Sequence, residues 1–128
     1  MSKYESRKPD PKPSLSLFPP VAHAHAAHAL QDGNVRPGRG AYNWRHGVEV
    51  RALAYADKAQ RHIDLWKAGE RAAPDSKVHH LGCAIADLAI ILDCEAQGLL
   101  VDDRQNDNGA LQRVYDEIGK LLTKAVRP

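Results

Sequence analysis

Apolar residues recur at three- and four-residue steps through most of the chain, which is the spacing of amphipathic helices. This pattern, with the glycines and prolines that interrupt it, predicts four helices over residues 20–31, 48–68, 77–97 and 109–126. The second carries the apolar stripe Leu53, Ala56, Ala59, Ile63 and Trp66. The fourth carries the stripe Leu111, Val114, Ile118, Leu121 and Leu122. No segment alternates between apolar and polar residues as a half-buried strand does, so the predicted fold class is all-α.

The third predicted helix differs from the others because it is apolar on nearly every face between Leu81 and Leu92. A helix of that kind is buried on all sides, and this chain has few other elements to cover it. Asp75 and Ser76 are its predicted N-cap, and the short linker before them makes the second and third helices an antiparallel hairpin. We therefore expect a bundle of about four helices that forms a four-helix core across a homodimer or a higher homo-oligomer.

The first 19 residues are polar and rich in proline, and they are predicted to form an extended arm. Residues 20–128 then form a single all-α domain. Leu15, Leu17 and Phe18, near the end of the arm, are expected to dock on this domain. Residues 35–47 contain three glycines and a proline and are predicted to be a loop.

Composition and charge exclude several classes of protein. The 128 residues suffice for one domain, and 43% hydrophobic with 27% charged residues is typical of a globular protein. Eighteen lysines and arginines against 16 aspartates and glutamates leave no broad basic surface for duplex nucleic acid. No apolar run is long enough for a membrane helix, and the polar N-terminus is not typical of a secretory signal. Cys83 and Cys94 would stand roughly 16 Å apart on one helix, too far for a disulfide. A cytoplasmic protein is expected.

Asp87 is the most informative single residue, because a lone carboxylate in an apolar helix is costly unless it is paired or binds a metal. Pairing the hairpin backwards from its linker places Asp57 near Asp87 and His62 near Ala84. His80 lies two turns before Asp87 on the same face. Such carboxylates and imidazoles between helices are typical metal ligands.

The same residues also have a plain structural interpretation. His62 and His80 are equally well explained as core histidines with satisfied hydrogen bonds. Asp87 would then pair with Arg61 or with an arginine of a second subunit.

The predicted loop contains a second candidate site. Asn43, Trp44 and Arg45 together offer an amide, a flat aromatic surface and a permanent cation. Nucleotide recognition uses those three groups for base-edge hydrogen bonding, stacking and phosphate pairing. A tryptophan between helices is also a common packing anchor, so both interpretations stay open.

Several short motifs follow one another in an order that resembles a known family. They are Lys12-Pro13, Pro19-Pro20-Val21, Asp32-Gly33, Tyr42-Asn43-Trp44-Arg45, Arg61-His62, Trp66, Gly69-Glu70, Asp75-Ser76, His79-His80-Leu81 and Leu100-Val101-Asp102-Asp103-Arg104. In this order the chain resembles the phage dATP/dGTP diphosphohydrolases, relatives of the all-α (MazG-like) NTP pyrophosphohydrolases. The resemblance implies hydrolysis of purine deoxynucleoside triphosphates to the monophosphate and pyrophosphate with Mg²⁺ or Mn²⁺.

The chain departs from the MazG-like pattern at the metal ligands. Those enzymes carry Glu-x-x-Glu on one helix and Glu-x-x-Asp on the next, whereas here only Asp87 of the second motif remains. We expect Asp87, His80 and His62 as the preferred ligands and catalytic residues. The reserve ligands are Asp57, Asp64, Asp93 and His79. Arg61 is expected to be a further catalytic residue that, with Arg45, neutralises the phosphates, while Asn43 and Trp44 hold the base. In a dimer, Arg61 or Arg104 would reach the partner's groove and bind substrate there.

Two other functions remain open at this point. One is a non-catalytic helical module that binds nucleotide or another protein, which the missing glutamates favour. The other is a His/Asp metal-dependent phosphohydrolase that acts on deoxynucleoside triphosphates and releases triphosphate or orthophosphate.

Overall fold

A computed structural model describes residues 11–126 of the protein, and within them four helices account for most of the secondary structure. The prediction of an all-α fold is confirmed. The helices are α1 (Pro20–Asn34), α2 (Ala52–Lys67), α3 (His80–Ala96) and α4 (Ala110–Val126). Short 3-10 turns lie at Leu15–Leu17 and Asn43–Arg45, and two short strands are β1 (Val50–Arg51) and β2 (Leu100–Val101).

Helix α3 is the centre of the fold, because α1 and α2 both pack along it. The contact surfaces consist mainly of small residues, which lets the helices approach closely. Ala26 of α1, Ala59 of α2 and Ala84 of α3 are all buried. At Gly82 a side-chain Cβ would lie 2.6 Å from the backbone oxygen of His25, so α1 crosses α3 where only glycine fits.

Helix α3 begins three residues later than predicted, and Asp75 and Ser76 are not its cap. The cap is His79, whose Nδ1 accepts a hydrogen bond of 3.0 Å from the backbone N–H of Leu81. An antiparallel bridge between Ala72 and His79 holds the linker up to that point. Because His79 pairs with Ala72 in this bridge, the first helical turn begins only after it, at His80.

The expectation that no strands exist is wrong at two short segments. Val50 and Arg51, predicted to be helical, instead pair in parallel with Leu100 and Val101. Val50 is almost completely buried, which suits a β-branched residue in a strand. The backbone N–H of Leu53, in the first turn of α2, donates a hydrogen bond of 2.9 Å to Oδ1 of Asp103. The segment after α3 is thus fastened to the start of α2.

Several apolar residues that were predicted to be buried are exposed. Of the apolar stripe predicted on α2 only Ala59 is buried, whereas Leu53 and Trp66 are exposed, because this helix contacts α3 along a narrow strip. Leu15 and Leu17 are more than 80% exposed, so the prediction that the arm docks on the domain is wrong for residues 11–19. The rest of the predicted arm, residues 1–10, lies outside the described residues.

Helix α4 stands apart from the other helices. Its side chains at residues 110–125 are all exposed, and its apolar stripe covers no other described element. Leu88 and Leu92 of α3 are exposed as well. No helix within residues 11–126 has the length and apolar character needed to cross a membrane.

Candidate active site

A cleft of about 300 Å³ lies where the end of α1 and the following loop face α2 and α3. Its charged and titratable lining comes from all four of these segments. These residues are Asp32, Arg36, Arg39, Tyr55, Lys58, His62, Cys83 and Asp87. Three of them are permanent cations near neutral pH, so the cleft is suited to an anionic ligand.

Asp87 is half-buried on the wall of this cleft. Burial raises the pKa of its carboxyl group to about 6, and the charges of Lys58 and Arg61 limit that rise. Neither cation forms an ion pair with Asp87 within 4 Å. The predicted pairing of Asp87 with Arg61 is therefore wrong within this chain, and the carboxylate remains available to a ligand.

The two histidines of the predicted metal site lie side by side. Nδ1 of His62 and Nδ1 of His80 are 2.9 Å apart, and Nε2 of His80 is 2.6 Å from Oε1 of Glu70. His80 is almost completely buried, and both of its ring nitrogens are engaged. The pKa of His62 is below its ordinary value because burial disfavours the imidazolium, and His80 and Arg61 add to this effect.

The predicted metal ligands do not come together as a metal centre. Among residues 11–126 no group of three or more His, Cys, Asp or Glu side chains could hold a metal ion. His80 has no free ring nitrogen. The reserve ligands lie elsewhere. Asp57 is exposed outside the cleft, Asp64 accepts a hydrogen bond from Gln60, His79 caps α3, and Asp93 binds Arg45 and Trp44.

Asp93 binds two of the predicted nucleotide-binding residues. Both of its oxygens accept hydrogen bonds of 2.7 Å from the Arg45 guanidinium, and Oδ2 also accepts one of 2.7 Å from Nε1 of Trp44. These bonds hold the pKa of Asp93 at about 2. Nε and Nη2 of Arg45 are engaged in this ion pair, and the role of Arg45 in binding phosphate stays a prediction. The contact fastens the loop to α3.

Asn43 and Trp44 line both the main cleft and a second one. The second cleft measures about 210 Å³, is lined largely by apolar groups, and lies between α1 and the loop. The ring of Tyr42 lines it beside Trp44, with 5.4 Å between the two ring centroids. Nδ2 of Asn43 donates a hydrogen bond of 3.1 Å to the Gly40 carbonyl, so the amide is held in place.

Comparison with known proteins identifies one family. The sequence profile described as dATP/dGTP diphosphohydrolase, N-terminal, matches residues 2–104. The chain belongs to this family. No curated protein and no solved structure gives a significant match.

The family match covers every residue that lines the two clefts and ends before α4. It includes Arg104, which lies away from the main cleft and makes two hydrogen bonds of 2.7 and 2.8 Å to Asp102. Arg104 therefore does not line the main cleft of this member of the dATP/dGTP diphosphohydrolase family. Arg61 is exposed and acts on the cleft through its charge, not as part of its lining.

Several residues of the site, among them Arg36, Arg39, Lys58 and Glu70, were not among the predicted ones. Arg36 and Arg39 come from the glycine-containing loop, and their charge was a signal that could have identified them. Lys58 lies one turn before His62 on α2, a spacing that places both on one face. Glu70 had no such signal, because its contact with His80 depends on the path of the linker.

Proposed function

We propose that this protein hydrolyses dATP and dGTP to the monophosphate and pyrophosphate, in the host cytoplasm if it is encoded by a phage. The observation that carries this proposal, beside family membership, is the pair of clefts that share Asn43 and Trp44. One cleft is rich in cations and the other is largely apolar. A nucleoside triphosphate has the same two parts, a polyanion and a flat base.

The main cleft would take the phosphates. Arg36, Arg39 and Lys58 supply three cations from the loop and α2. Arg36 currently makes an exposed ion pair of 3.1 Å with Asp32, and exposed pairs of this kind are weak. An incoming phosphate can therefore replace Asp32 as the partner of Arg36 at little cost.

The second cleft would take the base. Trp44 and Tyr42 offer aromatic surface for stacking. Because Nδ2 of Asn43 is bound to Gly40, the oxygen of the same amide is oriented and can accept a hydrogen bond from an amino group of the base. Fastening of Trp44 to Asp93 keeps this surface in place before the nucleotide arrives.

The reaction would be attack by water on the α-phosphorus, with departure of pyrophosphate. We assign Mg²⁺ or Mn²⁺ to the substrate, as the complex of the triphosphate, because the side chains of residues 11–126 do not build a cation centre. Two groups lining the cleft can accept a proton near neutral pH, the Asp87 carboxylate and the His62 imidazole. Arg36, Arg39 and Lys58 would offset the charge that develops on the phosphates.

Product analysis on a panel of deoxynucleoside triphosphates with Mg²⁺ or Mn²⁺ tests this proposal. We expect dGMP or dAMP together with pyrophosphate. The Arg39→Gln variant should need roughly tenfold more substrate for half-maximal rate, since it removes one charge-assisted phosphate contact. Arg51→Gln is the matched control and should behave as wild type, because Arg51 pairs with Glu49 away from the cleft.

Two results would contradict the proposal. Release of nucleoside and triphosphate would favour the phosphohydrolase alternative. Binding of nucleotide without any turnover would favour the non-catalytic module, for which the unassembled metal ligands are the supporting observation.

We also propose that two copies of the chain associate through α3. Leu88 and Leu92 lie one turn apart on this helix and are 45% and 66% exposed in the single chain. Because α4 does not cover them, a second copy placing its α3 against the same face would bury both pairs. This arrangement is the predicted four-helix core, made of two α2–α3 hairpins.

Light scattering at micromolar concentration tests the association. The wild type should have twice the chain mass of 14.1 kDa. The Leu88→Glu and Leu92→Glu double variant should be monomeric, because it places charges in the interface. Ile118→Glu, which changes the exposed stripe of α4, is the control and should remain dimeric. A wild-type monomer would contradict the proposal, and a monomeric Ile118→Glu would move the interface to α4.

A further inference from the structure

The ring of His80 contacts two titratable side chains that lie in different surroundings. On one side its Nε2 meets Glu70, whose side chain is 42% exposed to solvent. On the other side its Nδ1 meets His62, which lines the cleft. A buried imidazole thus connects bulk solvent with the candidate active site through two short hydrogen bonds.

The hydrogen-bonding capacity of these groups determines where the protons lie. An ionised carboxylate can only accept, so Glu70 accepts from Nε2–H of His80. A neutral His80 then has an unprotonated Nδ1, which accepts from Nδ1–H of His62. A neutral His62 in this tautomer has an unprotonated Nε2. Burial and the charge of Arg61 lower the pKa of His62, which favours its neutral form.

We propose that Glu70, His80 and His62 form a proton relay in which Nε2 of His62 takes the proton from the attacking water. The relay rests on the proposed hydrolysis and adds a new positioning residue, Glu70, and a distinct role for His80. His80 holds the tautomer of His62 and does not bind a metal.

The step balances as follows. The water oxygen forms a bond to the α-phosphorus while its proton passes to Nε2 of His62. The bond from the α-phosphorus to the bridging oxygen breaks, and its electron pair leaves with pyrophosphate. The His62 imidazolium then passes its Nδ1 proton to Nδ1 of His80, and His80 passes its Nε2 proton to Glu70, which releases it to solvent. After the products leave, the reverse transfer restores the starting tautomers: Glu70 returns a proton from solvent to Nε2 of His80, Nδ1 of His80 returns its proton to Nδ1 of His62, and Nε2 of His62 releases its proton to water in the cleft.

A purely structural role explains less of this arrangement. A core histidine needs only partners for its nitrogens, and backbone carbonyls would supply them. Here the partners are two titratable side chains, one exposed to solvent and one lining a cleft. Lys58 and Asp87 line the same cleft as His62. Burial and the charge of Arg61 both oppose a cation on His62, so the cation formed there is stabilised by the compensation that Glu70 provides.

Kinetics of variants at His62 and Glu70 test the catalytic part. In His62→Gln, kcat should fall by about a hundredfold or more, within the usual range for loss of a general base. In Glu70→Gln, kcat should fall at least about tenfold with KM nearly unchanged, because the amide cannot compensate the cation. Imidazole in the buffer should restore part of the activity of His62→Gly. The controls His28→Gln and Glu49→Gln change an exposed histidine and an exposed glutamate outside the cleft, and should behave as wild type.

Nitrogen-15 spectra of labelled histidine test the arrangement without relying on activity. At neutral pH the relay requires His62 protonated on Nδ1 and His80 protonated on Nε2. Finding His62 protonated on Nε2 instead would overturn the proposal. Full activity in His62→Gln or in Glu70→Gln would overturn the relay and leave the proposed hydrolysis intact. Absence of turnover by the wild-type protein would contradict both, and circular dichroism of each variant separates loss of catalysis from loss of folding.

Discussion

Replacing Gly82 with alanine should lower the free energy of unfolding by about 1–3 kcal/mol, the usual cost of forcing an extra methyl group into a packed site. The new Cβ would stand 2.6 Å from the backbone oxygen of His25 and 2.9 Å from its Cβ. Backbone atoms cannot rotate away as a side chain can, so α1 as a whole would have to move from α3. Because the end of α1 lines the main cleft, activity should fall as well.

The sign of this effect distinguishes it from ordinary helix propensity. Alanine in place of glycine inside a helix usually stabilises by about 1 kcal/mol. Gly119→Ala in α4 is the matched control, since nothing lies within 4 Å of the added group, and it should be neutral or stabilising. Chemical denaturation of both variants measures the difference. A Gly82→Ala protein as stable as Gly119→Ala would mean that α1 and α3 do not cross closely at Gly82.

Replacing Asp87 with asparagine should reduce kcat by about a hundredfold, the scale of loss when a reacting group is misplaced, while the protein becomes more stable near neutral pH. Asparagine keeps the shape of the side chain but cannot carry the negative charge that Asp87 places on the cleft wall beside Lys58 and Arg61. The gain in stability follows from the pKa of about 6, which records how poorly the half-buried site accommodates the ionised carboxylate.

The pH dependence of this gain has a definite sign. Below about pH 4 Asp87 is protonated in both folded and unfolded chains, and it costs no stability. Between about pH 4 and the folded pKa of about 6 the unfolded chain releases its proton first, so the wild type loses stability as the pH rises. We expect a difference of about 1 kcal/mol at pH 7, after allowing for solvent screening of a partly exposed group.

Denaturation of wild type and Asp87→Asn at pH 4 and pH 7 measures this difference. Asp57→Asn is the control, because Asp57 is exposed on α2 outside the cleft, and neither its activity nor its stability should change. If Asp87→Asn retained full activity, Asp87 would have no part in the reaction. If Asp57→Asn lost activity, Asp57 would belong to the site after all.

The helices could be predicted from the sequence because their signals are local. The hairpin register could not, since it depends on the path of the linker. Counting back from the linker placed His62 beside Ala84, whereas His62 contacts His80, one helical turn away. The bridge between Ala72 and His79 takes up linker residues that the count had assigned to the helices. That shift also brings Glu70 to His80.

The sequence indicated which types of residue belong to the candidate site better than it indicated what each of them does. Arg45 and Asp93 were predicted to bind phosphate and metal respectively. They are 48 positions apart in the sequence, and nothing local indicates that they bind each other. Asp87 differs, because an isolated carboxylate in an apolar helix can be recognised from its neighbours alone, and the structure places it on the cleft wall.

The pairing of β1 with β2 has a consequence for the order of folding. It joins Val50 to Leu100, residues at opposite ends of the α2–α3 hairpin, whereas His62 and His80 inside the hairpin are only 18 positions apart. Contacts close in sequence need less loop-closure entropy and form faster. We expect the hairpin to form first, and the strand pair and the contact of Trp44 with Asp93 to close over it later. On local opening the order reverses, so a partly opened chain would lose its main cleft while most of its helical content remains.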